Sequence, residues 1–138
     1  MRNAQRYPFV AADSALGEAS LRPYLPLTLN YQDRTTTTIG LLDTGAAVNV
    51  LPYRVWLALG ASWEQQTTVL QLTGNLAQVE ARLLLVSVLV GSFAPVRLAF
   101  AWTAAEQVPL LLGQVNFFME FNACFYRSEL AFEVSPKR

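Results

Sequence analysis

Residues 35–42 form a run of threonines and aliphatic residues that ends, without a spacer, on a carboxylate: Asp43, followed by Thr44 and Gly45. This junction constrains the chain more than any other feature. β-Branched and aliphatic residues at such density suit a pleated strand. A buried strand seldom ends on an unpaired charge unless that charge has a partner or a task. The competing reading is an ordinary Asp-x-Gly turn in which Asp43 bonds its own backbone, and the surroundings must decide between the two.

Those surroundings are patterned for strands. Tyr24, Leu25, Leu27, Leu29 and Tyr31 mark a strand before the run, and Pro23 and Pro26 place its start at a sheet edge. Gln32-Asp33-Arg34 is a polar turn between the two. After the carboxylate, residues 48–51 are apolar, and Pro52 opens a helix over residues 53–59 that Gly60 closes. Residues 67–72 and 77–90 read as long strands around Thr73-Gly74-Asn75, a hairpin-tip signal. A strand is expected over 96–102, a short buried strand over 108–112 ending at Gly113, and a short helix over 115–121. Residues 124–126 and 130–134 form a closing hairpin around Arg127-Ser128-Glu129. Residues 1–20 contain small residues and Gly17 and read as an N-terminal arm or lead-in. Residues 21–138 are expected to be one mostly β domain with one or two short helices.

Absences restrict the chemistry. The chain has no histidine and one cysteine, Cys124. A Ser-His-Asp or Cys-His site cannot be built from it, and neither can the usual ligand set of zinc. It has no Gly-rich phosphate loop. Ten basic residues balance ten acidic ones without clustering, so no nucleic-acid partner is expected. The apolar run 83–90 is too short to span a bilayer, so no membrane partner is expected either. Residues 1–6 lead into no apolar stretch of a signal peptide, which points to the cytoplasm. Cys124 amid apolar residues fits a reducing compartment and an inert buried thiol. No metal or cofactor is called for, and carboxylates remain as the chemical groups. Only 14% of residues are charged against 53% hydrophobic. So little charge favours hiding apolar surface in an oligomer.

The segment Leu41-Leu42-Asp43-Thr44-Gly45-Ala46-Ala47-Val48-Asn49-Val50-Leu51 resembles the catalytic loop of retropepsin-like aspartic proteases. Leu111-Leu112-Gly113 resembles the second hallmark of that family, two apolar residues and a glycine before a short helix. The glycine-tipped hairpin at Thr73-Gly74-Asn75 falls where the family has its flap. The resemblance spans about residues 21–134 and implies a single-lobe, closed β barrel working as a homodimer on a polypeptide substrate. It makes Asp43 the catalytic residue. Thr44, Gly45, Ala46, Leu112 and Gly113 become its loop support, and Thr73, Gly74 and Asn75 the flap that touches substrate. No second Asp-Thr/Ser-Gly exists in the chain, so the partner carboxylate is expected from Asp43 of a second copy.

Each neighbour then has a role. Thr44 is expected to bond across the dimer axis, and Gly45 to allow close backbone approach and donate its N–H to the carboxylate. Ala46 stands where pepsin-like relatives commonly carry serine, and offers no hydroxyl to the pair. Gln114 stands where viral members usually have arginine, so the resemblance is to cellular and bacterial members rather than viral ones. Asn49 is able to hydrogen-bond in the loop, with no more specific role at this level. Trp56, Trp63 and Trp102 read as core or interface, and Phe117, Phe118 and Phe121 as core. Two other readings stay open: a non-proteolytic peptide-binding or dimerisation module of the same fold, and a structural β domain in which Asp43 only caps a turn.

Overall fold

Leu25, Leu27 and Leu29 are all buried while residues between them are not, because side chains alternate across a strand. Their strand is β4, Tyr24–Tyr31. In the computed structural model, which describes residues 3–11, 14–71, 80–105 and 108–138, twelve strands and two α-helices can be followed. The arm contributes β1 (Gln5–Pro8), β2 (Val10–Ala11), a 3-10 segment (Ser14–Ser20) and β3 (Leu21–Arg22). After β4 come β5 (Arg34–Leu42), β6 (Asn49–Leu51), helix α1 (Tyr53–Leu59), β7 (Val69–Gln71), β8 (Glu80–Leu89) and β9 (Val96–Thr103). The chain closes with β10 (Leu111–Leu112), helix α2 (Phe117–Glu120), β11 (Phe121–Tyr126), a 3-10 turn (Arg127–Glu129) and β12 (Ala131–Pro136).

The strands order as β4-β5-β10-β6-β9-β8, and β8 returns to pair with β4 through Thr28, Leu29 and Asn30. The sheet is therefore closed into a mostly β barrel of six strands, with β7 added outside on β8. Closure gives the inward rows of β4, β8 and β9 one shared interior, in which Leu25, Leu29, Leu84, Val88, Leu98 and Phe100 are fully or almost fully buried. Helix α1 seals one end. Trp56 and Leu59 point inward, and Gly60 stops the helix in the left-handed region (φ 68°), its N–H turned back to Leu57 and Trp56 carbonyls. Trp102 then sits at 4.0 Å from Trp56 and 4.9 Å from Trp63, as ring centroids.

A second, three-stranded sheet, β1-β12-β11, lies beside the barrel. The arm is tied to it by four residue pairs from Gln5↔Val134 to Pro8↔Ala131. Phe117, Phe121 and Phe132 are buried where this sheet and α2 meet the barrel.

The sequence pattern misplaces three details. The short strand expected over 108–112 is reduced to Leu111–Leu112, since Pro109 has no N–H to give a ladder. The helix expected over 115–121 is only Phe117–Glu120, because Val115 is drawn into a bridge with Val48. Cys124 lies on β11 and is half-buried rather than enclosed. Thr73, Gly74 and Asn75 lie outside the described residues; the strands flanking them, β7 and β8, pair antiparallel from Val69↔Arg82 to Gln71↔Glu80. No described helix is long and apolar enough to cross a membrane.

Candidate active site

The site begins with the unusual neighbourhood of β10. This two-residue strand is inserted between β5, to which it runs parallel, and β6, to which it runs antiparallel. Leu111 pairs with Leu41 and Leu112 with Leu42, so the second apolar motif lies directly beside the strand that delivers Asp43. The Asp43 N–H donates to the Leu112 carbonyl at 3.0 Å. The loop after Asp43 is closed by the Ala46 N–H on the Asp43 carbonyl (3.1 Å). Across from it, the Gln114 N–H donates to the Ala46 carbonyl (2.9 Å) and the Val115 N–H to the Ala47 carbonyl (3.0 Å). The two sequence motifs are thus one structural unit, although about seventy residues separate them.

Gly113 makes this threading possible. A Cβ there would lie 2.5 Å from the Val48 carbonyl oxygen and 2.6 Å from that of Ala46, so the backbones cross too closely for a side chain. Below the crossing, Asn49 is fully buried. Its Oδ1 accepts from the Gly113 N–H (2.8 Å), while its Nδ2 donates to the Ala99 carbonyl (3.0 Å) and to Asn116 Oδ1 (3.2 Å). Asn116 Oδ1 accepts the Ala99 N–H as well (2.9 Å). Two side-chain amides therefore lock β6, β9 and the turn after β10 together directly beneath the loop. On the outside, Gln114 Nε2 donates to the Thr44 carbonyl at 2.8 Å.

The structure places Asp43, Thr44, Gly45, Ala46, Leu112 and Gly113 side by side; Thr73, Gly74 and Asn75 are outside the described residues. The Asp43 carboxylate is partly exposed, and its Oδ1 accepts the Gly45 N–H at 2.9 Å. That bond also satisfies the turn-capping reading, so it does not by itself decide the chemistry. Behind this turn stand the side-chain amides of the buried Asn49 and the half-buried Asn116, which tie it to β9 and to the turn after β10. Asn116 escaped the sequence reading, and so did the partners of Asn49. The one available signal was an asparagine inside the apolar stretch 48–51, which must find partners once buried. Among the described residues no group of histidine, cysteine and acidic side chains is placed to hold a metal ion.

No family model matches the sequence, and no curated protein matches it. Among solved structures, the crystal structure of a retropepsin-like aspartic protease from Rickettsia conorii aligns with it at a TM-score of 0.58. The alignment covers 96% of this chain and 91% of that one, at 14% identity. The fold is single-lobe retropepsin-like. In this retropepsin-like barrel, the β5–β10–β6 crossing is the feature that carries a carboxylate to the surface on a rigid base.

Proposed function

We propose that the chain is an aspartic endopeptidase whose working unit is a homodimer, with one Asp43 from each copy. The observation that carries this reading is the partly exposed Asp43 carboxylate, held by the Gly45 N–H on a loop locked from beneath by Asn49 and Asn116. Such pre-set geometry matters when two groups must be aligned to within a fraction of an ångström. Hydrolysis of a peptide bond by water needs a carboxylate to take the water's proton and a carboxylic acid to polarise the carbonyl. Two aspartates side by side fill both roles by sharing one proton. Thr44 is exposed, and its hydroxyl has no hydrogen-bond partner among the described residues, which leaves it available to the second copy. The hairpin containing Thr73, Gly74 and Asn75 closes on the substrate in this reading, and no cofactor takes part.

The test is Asp43→Asn in the full chain. Cleavage of a denatured protein substrate is expected to fall by at least about 10³-fold, in keeping with loss of a residue of the reacting unit. The melting temperature and sedimentation should stay unchanged. Near wild-type cleavage by the variant would remove Asp43 from the chemistry, and a wild-type protein that cleaves nothing yet binds peptides would favour the binding-module reading. A second measurement follows from the shared site. Specific activity should drop on dilution in parallel with the dimer fraction, and an active monomer would exclude a pair of Asp43 residues.

A further inference from the structure

We infer that the free edge of β5 is a docking site for an extended, acidic segment of the polypeptide substrate, with Arg54 reading the charge. The inference rests on the protease reading for the identity of the bound chain.

β5 is paired along its whole length with β4 on one side, but on the other β10 covers only Leu41 and Leu42. The Leu41 N–H donates to Leu110 and the Asp43 N–H to Leu112, so odd-numbered residues of β5 turn their backbone groups to this edge. Two and four residues back from Leu41, Ile39 and Thr37 must do the same. The register agrees: Ile39 lies opposite Pro26, which has no N–H to exchange with it. Residues 37–39 have no strand beside them among the described residues.

What lies there instead is a cleft of about 410 Å³ between this edge, helix α1 and the segment 108–110. Thr37, Ile39, Val55 and Pro109 line it together with Arg54. Ile39 is 50% exposed and offers its side chain to the cleft. Arg54 is exposed and makes no ion pair among the described residues, and no residue lining the cleft is acidic. Unpaired backbone groups, an apolar lining and a lone cation together fit a strand-forming peptide that carries Asp or Glu. Ile39 precedes Asp43 by four residues, about 13 Å at the rise of a strand. A chain added at this edge is therefore held within a few residues' reach of the carboxylate.

Binding is measured first, on the full-length Asp43→Asn protein so that nothing is cleaved. The probe is a fluorescent ten-residue peptide of alternating valine and glutamate, compared with its valine–lysine counterpart by anisotropy. The glutamate peptide should bind about fivefold tighter, the scale of one exposed charge pair, and Arg54→Glu should reverse the preference. N-methylation of alternate amides should weaken binding about tenfold on one edge of the peptide and not on the other. Equal affinities, indifference to Arg54→Glu, or tolerance of methylation on both edges would overturn the proposal. Cleavage is read next with wild-type protein and a library of proteome-derived peptides analysed by mass spectrometry. Cleaved members should be enriched in Asp or Glu at a fixed distance from the cut, and Arg54→Glu should abolish that enrichment. Cleavage without enrichment overturns the docking site and leaves the protease reading standing. Binding without any cleavage overturns the protease reading, and with it the assignment of the bound chain as substrate.

Discussion

The loop around Asp43 and the terminal sheet β1-β12-β11 are held by different physics. Beneath the loop, the contacts are directional side-chain amide hydrogen bonds centred on the fully buried Asn49 and the half-buried Asn116. The terminal sheet is held by backbone ladders, by apolar packing of the fully buried Phe132 and Val134, with Tyr7 stacked on Phe132 at 5.4 Å, and by ion pairs from Arg6 to Glu129 (3.0 Å) and Glu133 (3.3 Å). Buried hydrogen bonds penalise any misplacement, since an orphaned amide in the interior has no water to turn to. Apolar packing is non-directional, and the partly exposed ion pairs of Arg6 are screened by salt. One region is built to fix atoms and the other to hold a chain terminus in place.

The contrast can be broken most sharply at Gly113. Gly113→Ala puts a methyl group against two carbonyl oxygens that belong to the loop backbone, so the loop must shift. Activity should fall by about a hundredfold or more, the loss expected of an ångström-scale misplacement, with steady-state cleavage as the readout. A fully active variant would show that the crossing does not set the position of Asp43.

Asn49 probes the same lattice more gently. Asn49→Ala deprives the Gly113 N–H, the Ala99 carbonyl and the Asn116 amide of a buried partner. Urea denaturation should report a loss of about 3 kcal/mol, and cleavage should suffer even where the protein is still folded. A loss below about 1 kcal/mol, the range of an ordinary surface substitution, would put the two regions on the same footing.

The smallest effect belongs to the terminal sheet and appears only at high pH. The Tyr126 hydroxyl is pushed up to about 12 by hydrogen bonding to Cys124, by the charges of Cys124 and Glu133, and by its bond to Glu133. The folded chain therefore keeps this proton after an unfolded chain has begun to release it at about 10. The stabilisation is fully present below pH ~10 and is lost as pH rises toward ~12. Thermal melts across this window should flatten in Tyr126→Phe, and an unchanged slope would remove Tyr126 from the terminal sheet's response to pH.

These differences also explain how much could be read from the sequence. β4, β5, β9 and α1 were legible because each is specified locally. Alternating leucines, a threonine-rich run, and a proline and a glycine around residues 53–59 announce their elements without help from elsewhere. The Asp43 loop and Leu112-Gly113 were legible through their resemblance to known motifs. Asn49 was not, because its partners lie 50, 64 and 67 residues away and only the closed barrel brings them within reach. The shortening of the second helix has the same origin, since Val115 is claimed by Val48 from the far side of the chain. Local pattern fixes elements, whereas a lattice of distant amides has no local pattern to show.

The insertion of β10 between β5 and β6 also imposes an order in time. Strands β5 and β6 can meet only through a segment synthesised about seventy residues after Asp43, so the loop cannot take its shape on a chain that stops short of Gly113. Contacts of such separation form late, after the entropy of a long loop has been overcome. On the ribosome, Asp43 would precede the Leu112 carbonyl that accepts its N–H by about seventy residues. A nascent chain therefore carries Asp43 long before it carries the backbone that fixes the loop around it.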